Sequence, residues 1–244
     1  KIYNDIIAIT DPLSRFESLR LLDDQFEAYP LFWYYKGRAA LEVAMAYRTE
    51  EMLAKGKDGE VCELKLLNYG DEVSLYMLFR NEAKTALDEF VKRQEGCQIF
   101  RTDVLTASAY LDRASLMLSD DKNLDDPKNV EQVRKDVNNA KKLGGTDLEI
   151  VQTCAMYYLK LYEKGGEDKG AFKNAEYCLR MLLNEDFNSE LNGRWLSQLY
   201  LSNEDVNQYE FLKASISAHH PFIYSLMLPK DAESFKRDLM AYYN

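Results

Sequence analysis

Residue types that could do chemistry are few in this chain, and their spacing is poor. Four cysteines, Cys62, Cys97, Cys154 and Cys178, lie far apart with no CxxC pair. The two histidines, His219 and His220, are adjacent and have no third ligand at metal spacing. A zinc site needs three or four such ligands converging, so no metal site is expected. The aspartates of Asp120-Asp121-Lys122-Asn123-Leu124-Asp125-Asp126 do not make a calcium loop. The glycine at the sharp turn and the bidentate glutamate that closes an EF-hand are both missing. A Cys–His couple could be drawn from Cys154 or Cys178 with His219, but both cysteines fall on apolar helical faces. There a thiol behaves as a small hydrophobe. A disulfide between Cys154 and Cys178 stays open, provided their helices pair. No P-loop and no glycine-rich dinucleotide fingerprint is present. No catalytic residue and no cofactor site is therefore assigned, and the protein is read as a non-enzyme.

The elements around these residues read as helices. Of 244 residues, 46% are hydrophobic and 30% charged, with 11 glycines and 5 prolines, and no long alternating β-branched run occurs. A formal charge of −10 disfavours a phosphate-backbone partner and suits a soluble surface. No apolar run approaches the roughly 18 residues that span a bilayer, so no integral membrane segment is expected. The chain begins at Lys1 rather than Met. Removal of an export signal or lipid anchor thus stays open, as does the compartment, cell envelope or cytoplasm.

Helix signals follow one another along the chain. Lys1 to Thr10 is a short apolar segment. Asp11-Pro12 is a cap-then-proline start for Leu13 to Phe26, with Pro30 as its stop. Leu31 to Ala54 follows, ended by Lys55 to Gly59, and a short helix is read at Glu60 to Leu67. Asp71 caps a helix to Gln94, and another spans Asp103 to Ser119. Asp126-Pro127 restarts a helix that Gly144-Gly145 ends. Thr146-Asp147-Leu148-Glu149 reads as a capping box for a helix to Lys164. After the turn opened by Gly165-Gly166 come three more helices, capped in part by Asn188-Ser189 and Ser202 to Asp205. The run Phe222 to Leu228 and a last helix, Ala232 to Tyr242, close the chain.

Paired helices with short turns suggest a repeat. Ala175 and Tyr209, Leu179 and Lys213, Leu182 and Ile216, and Phe187 and Pro221 recur at a spacing of 34 residues. Cys154, Ala155 and Tyr158 align with Leu196, Ser197 and Tyr200, and Val133, Val137, Ala140 and Gly145 fall one unit earlier. In these residues, and in Trp33-Tyr34-Tyr35-Lys36-Gly37-Arg38-Ala39, the chain resembles the tetratricopeptide repeat family. Tyr209 and Lys213 depart from its small and aromatic pattern, and 60–94 does not align. The resemblance implies an all-α, right-handed α-solenoid of antiparallel helix pairs. It would be a single domain over 1–244, with an irregular N-terminal part. Residues 12–54 read as a divergent first repeat, 103–145, 146–187 and 188–221 as repeat-like pairs, and 230–244 as a C-terminal cap.

Members of that family are mostly binding scaffolds, and their first helices line the concave face. The resemblance therefore implies a protein or peptide partner, with Tyr34, Arg38, Gln152, Met156, Arg194 and Gln198 as exposed partner-binding candidates. Arginine pairs with carboxylates and aromatic rings add stacking area. The fixed Lys/Asn/Arg set of the family's carboxylate-clamp subtype is missing, which disfavours a chaperone-clamp role. The alternative is a cell-envelope or transporter-associated carrier of a small apolar ligand, since 17 tyrosines, 11 phenylalanines and 8 methionines could line an interhelical pocket. An enclosed apolar chamber would favour the carrier; an open groove with exposed aromatics would favour the scaffold.

Overall fold

A computed structural model describes residues 2–58, 74–96, 103–119, 121–164, 168–186 and 189–219. Every regular element among them is helical. They are α1 (Ile2–Ile7), α2 (Pro12–Arg20), α3 (Asp23–Phe26), α4 (Pro30–Asp58), α5 (Leu75–Glu95), α6 (Asp103–Leu118), α7 (Pro127–Gly144), α8 (Leu148–Lys164), α9 (Lys169–Glu185), α10 (Glu190–Ser202) and α11 (Val206–His219). A 3-10 turn, Asp121–Asp125, stands where the charged loop is expected. Several expectations lie outside the described residues: the helix at 60–67, the cap at Asp71, the turn at 165–166, Phe187, Cys62, Cys97, His220, and everything from 220 to 244, the C-terminal cap included.

The chain divides into two compact units, Lys1–Leu143 and Gly144–Asn244. The division falls at Gly144-Gly145, the break that separates the 103–145 and 146–187 pairs.

Helix starts follow side-chain chemistry. Asp11 Oδ2 accepts from the Ser14 amide at 2.7 Å, with Pro12 in the first turn, where its missing N–H costs nothing. Asp126 repeats the device before Pro127, accepting from the Lys128 amide at 2.9 Å. Asp205 accepts from the Gln208 amide at 3.2 Å. The start of α8 differs from expectation: the cap is Asp147, not Thr146. Its Oδ1 takes the amides of Glu149 and Ile150 at 3.0 and 3.2 Å.

Two other boundaries are corrected. The expected helix from Leu13 to Phe26 breaks after Arg20 and resumes at Asp23. Pro30 opens α4 instead of closing its predecessor, and α4 runs through Gly56 to Asp58.

The first unit is built on α4 and α5. Tyr34 meets Phe90 with ring centroids 5.2 Å apart, Gly37 lies under Leu87, and Tyr47 stacks on Phe79 at 5.9 Å. Positions rising along α4 meet positions falling along α5, so the pair is antiparallel. A Cβ on Gly37 would stand 2.9 Å from Leu87 Cγ and 3.3 Å from the Leu87 amide nitrogen. Glycine is what lets the two backbones approach so closely. The α5–α6 pair is antiparallel by the same test: Tyr76 Oη lies 2.8 Å from Ser119 Oγ, Arg80 donates to the Leu116 carbonyl, and Tyr110 donates to Glu95. Phe16 and Leu19 of α2 complete the core, Phe16 packing edge-on to Phe79 at 5.3 Å.

In the second unit α8 packs on α9, α9 on α10, and α10 on α11. Cys154, Ala155 and Tyr158 of α8 and Ala175, Cys178 and Leu179 of α9 are buried. Their small side chains leave room for the large Tyr158 ring, as close packing requires. Both cysteines are free thiols, so no disulfide joins them. Tyr162 and Phe172 close the α8–α9 turn at 5.7 Å.

Candidate functional site

The candidate residues of the first unit are Tyr34 and Arg38, one turn apart on α4. Tyr34 is buried, contrary to its expected exposure. Its ring packs between Tyr35 and Phe90, and its hydroxyl accepts from Arg38 Nη1 at 3.2 Å. Tyr34 therefore shapes the site from beneath by fixing the arginine. The Arg38 guanidinium stands over the Tyr34 ring at 6.0 Å, and its side chain keeps 43% of its surface exposed.

A residue that the pattern reading did not single out completes this site. Asp112 on α6 brings Oδ2 to 3.4 Å from Arg38 Nε. One turn beyond Arg38, Glu42 pairs with Arg15 of α2. Two guanidiniums and two carboxylates from α2, α4 and α6 thus form one cluster. Burial pushes the Asp112 carboxyl up to about 6, against the pull of Arg38 and with the added push of Glu42. Burial also opposes the charge on Arg38, but Asp112, Tyr34 and Glu42 together hold it above its ordinary range. A trace of Asp112 was present in the sequence: a charged Asp112-Arg113 pair inside the apolar run of α6.

Arg113, the next residue, reaches a different set of partners. Its Nε and Nη2 donate to the two oxygens of Asp136 on α7 at 2.9 and 2.5 Å, and Nη1 donates to Asp88 on α5 at 2.9 Å. Gln132 adds a donor to Asp136 at 2.9 Å. This fork ties three helices together and leaves no exposed edge for a ligand.

In the second unit the candidates form two stripes. Gln152 and the exposed Met156 are one turn apart on α8; Arg194 and Gln198 are one turn apart on α10. Arg194 is half-buried. Gln198 Oε1 is buried and accepts no hydrogen bond. The structure brings Tyr34 and Arg38 together, and it places the α8 and α10 stripes in the other compact unit.

A further surface feature of the second unit was not foreseen. Arg180 of α9 donates to Glu176 at 3.1 Å, to Tyr200 Oη of α10 at 3.0 Å and to Gln208 of α11 at 2.8 Å. Tyr200 in turn donates to Glu176 at 2.8 Å, and burial with the Glu176 bond raises its hydroxyl well above the usual range. Beside this network an open cleft of about 140 Å³ is floored by Leu183, Leu196 and Leu212, with Phe211 at its rim. The cleft is polar along one edge and open to solvent, unlike an enclosed apolar chamber.

Among the described residues no cluster of His, Cys, Asp and Glu could hold a metal ion, and no helix is long and apolar enough to cross a membrane. No family model matches the chain, and no curated protein is significantly similar to it.

Proposed function

We propose that the protein is a non-enzymatic scaffold that binds a protein or peptide segment. In this reading the helix pairs continue as a right-handed, tetratricopeptide-like solenoid, with α4, α8 and α10 presenting the binding positions. The observation that carries the reading is Arg38. It is half-exposed, and its hydrogen bond to Tyr34 holds it in place, with Asp112 in loose contact beside it. An arginine fixed before its partner arrives loses little side-chain freedom on binding, which favours recognition by a few anchors. The exposed Met156 adds an apolar contact of the kind that suits a polypeptide.

The test is capture on a peptide array of varied sequence and charge, with helix content followed by circular dichroism. Arg38→Glu and Arg194→Glu are expected to abolish capture with helicity unchanged, and Arg38→Gln guards against repulsion within the Arg15–Glu42–Asp112 cluster. Undiminished capture after both reversals would remove both arginines from consideration.

A further inference from the structure

The Arg38 guanidinium is only half committed. Nη1 donates to Tyr34, whereas Nε faces Asp112 Oδ2 at 3.4 Å without the alignment of a hydrogen bond. Nη2 makes no hydrogen bond among the described residues. Asp112 mirrors this: its side chain is 19% exposed, yet Oδ2 is buried and accepts no hydrogen bond. A carboxylate in the plane of the guanidinium could accept from Nε and Nη2 together, the strong bidentate arrangement that Asp112 fails to make.

The surrounding charges isolate this contact. From α4, Glu42 faces Asp112 but is tied to Arg15 of α2. From α5, Asp88 is held by Arg113, Glu95 accepts from Tyr110, and Arg80 donates to the Leu116 carbonyl. From α7, Asp136 is held by Arg113 and Gln132. The 3-10 turn packs against α6 as well, and its Asp121, Lys122 and Asp125 come after the Leu118 end of the helix. Arg15 and Arg38 balance Glu42 and Asp112, so one proton on Asp112 leaves the cluster with a net positive charge.

We propose that Asp112 is an internal substitute for a carboxylate of the bound segment. The partner's acidic side chain, or its terminal carboxylate, takes the Nε–Nη2 edge of Arg38, and the displaced Asp112 takes a proton from solvent. The inference rests on the reading that this face of α4 binds a polypeptide. Burial and Glu42 already hold the Asp112 carboxyl near 6, so it protonates at a pH where an ordinary peptide carboxylate stays charged. Affinity should then rise as pH falls toward 6, and drop again where the partner's own carboxylate protonates.

Peptides captured by the array are resynthesised with each Asp or Glu replaced by its amide, and with the C-terminal acid replaced by a carboxamide. One of these carboxylates should prove necessary, and the two series separate a side chain from a chain end. Affinity for the intact peptide should rise roughly 25-fold from about pH 7.5 to about pH 5.5, the limit for coupled uptake of one proton by a carboxyl that titrates near 6 in the free protein. Asp112→Asn should hold the high affinity across that range, with pH dependence gone. Arg38→Gln should bind the acid peptide no more tightly than the amide peptide, at every pH in that range. A flat pH profile in the unaltered protein, or weaker binding by Asp112→Asn, overturns the proposal while leaving the scaffold reading intact. Capture of no peptide at all overturns both.

Discussion

Asp112 and Arg113 are neighbours on α6, yet each belongs to a different kind of ion pair. Arg113 meets Asp136 through two aligned hydrogen bonds and Asp88 through a third, and the Asp136 side chain is 1% exposed. Asp112 meets Arg38 through one loose contact at 3.4 Å, with a buried oxygen left unsatisfied. Burial raises both carboxyls, but Arg113 offsets it with direct hydrogen bonds at Asp136, and Arg38 offers Asp112 only its charge. The first arrangement fastens helices. The second leaves a guanidinium half-exposed.

Breaking the fastener should have the larger effect. Arg113→Met strands Asp136 in the interior and should cost about 3–5 kcal/mol in denaturant unfolding. Adding Asp136→Leu should recover most of that loss, because no buried charge is then left without a partner. Failure of the double variant to recover would mean that Asp88 or Gln132 is the essential contact.

The loose pair should respond in the opposite sense. The folded-state Asp112 carboxyl lies near 6, above the ordinary aspartate value of 3.8, so the folded chain binds this proton more tightly than the unfolded chain. The group therefore lowers stability as pH climbs from the lower value through the upper one. Asp112→Asn should gain about 1 kcal/mol at neutral pH, less than the full titration difference because Arg38 loses its neighbour. The gain should vanish at acid pH, as thermal melts across that interval would show. Smallest of all, Arg38→Gln should change stability by under about 1 kcal/mol, since the side chain is half-exposed and Asp112 can respond by protonating.

What could be read from the sequence was local. Asp11-Pro12 and Asp126-Pro127 announced helix starts because the carboxylate and the ring each satisfy first-turn geometry without distant help. Pro30 reads as a stop in the sequence but opens α4, because proline follows helix ends as readily as it opens helices. The aromatic run behind it continues the helix. Gly56 did not stop α4, since one interior glycine costs only about 1 kcal/mol, which the rest of a long helix outweighs. Tyr34 was placed on the surface by repeat register, whereas packing against Phe90 decides its position. The resemblance could place Arg38 but not its partner. Asp112 is a single carboxylate on a helix later in the chain, and neither period nor motif connects them.

The close approach at Gly37 reaches past this one molecule. Any amino-acid change there adds at least a methyl group that would stand 2.9 Å from Leu87 Cγ, too close unless something shifts, and tightly against the Leu87 backbone nitrogen. Among descendants of a common ancestor, the two positions should therefore drift together. A lineage that acquires alanine at 37 should already carry a smaller residue at 87, or a wider gap between α4 and α5. The pair would be an evolutionary ratchet, with the smaller side chain on α5 required to come first.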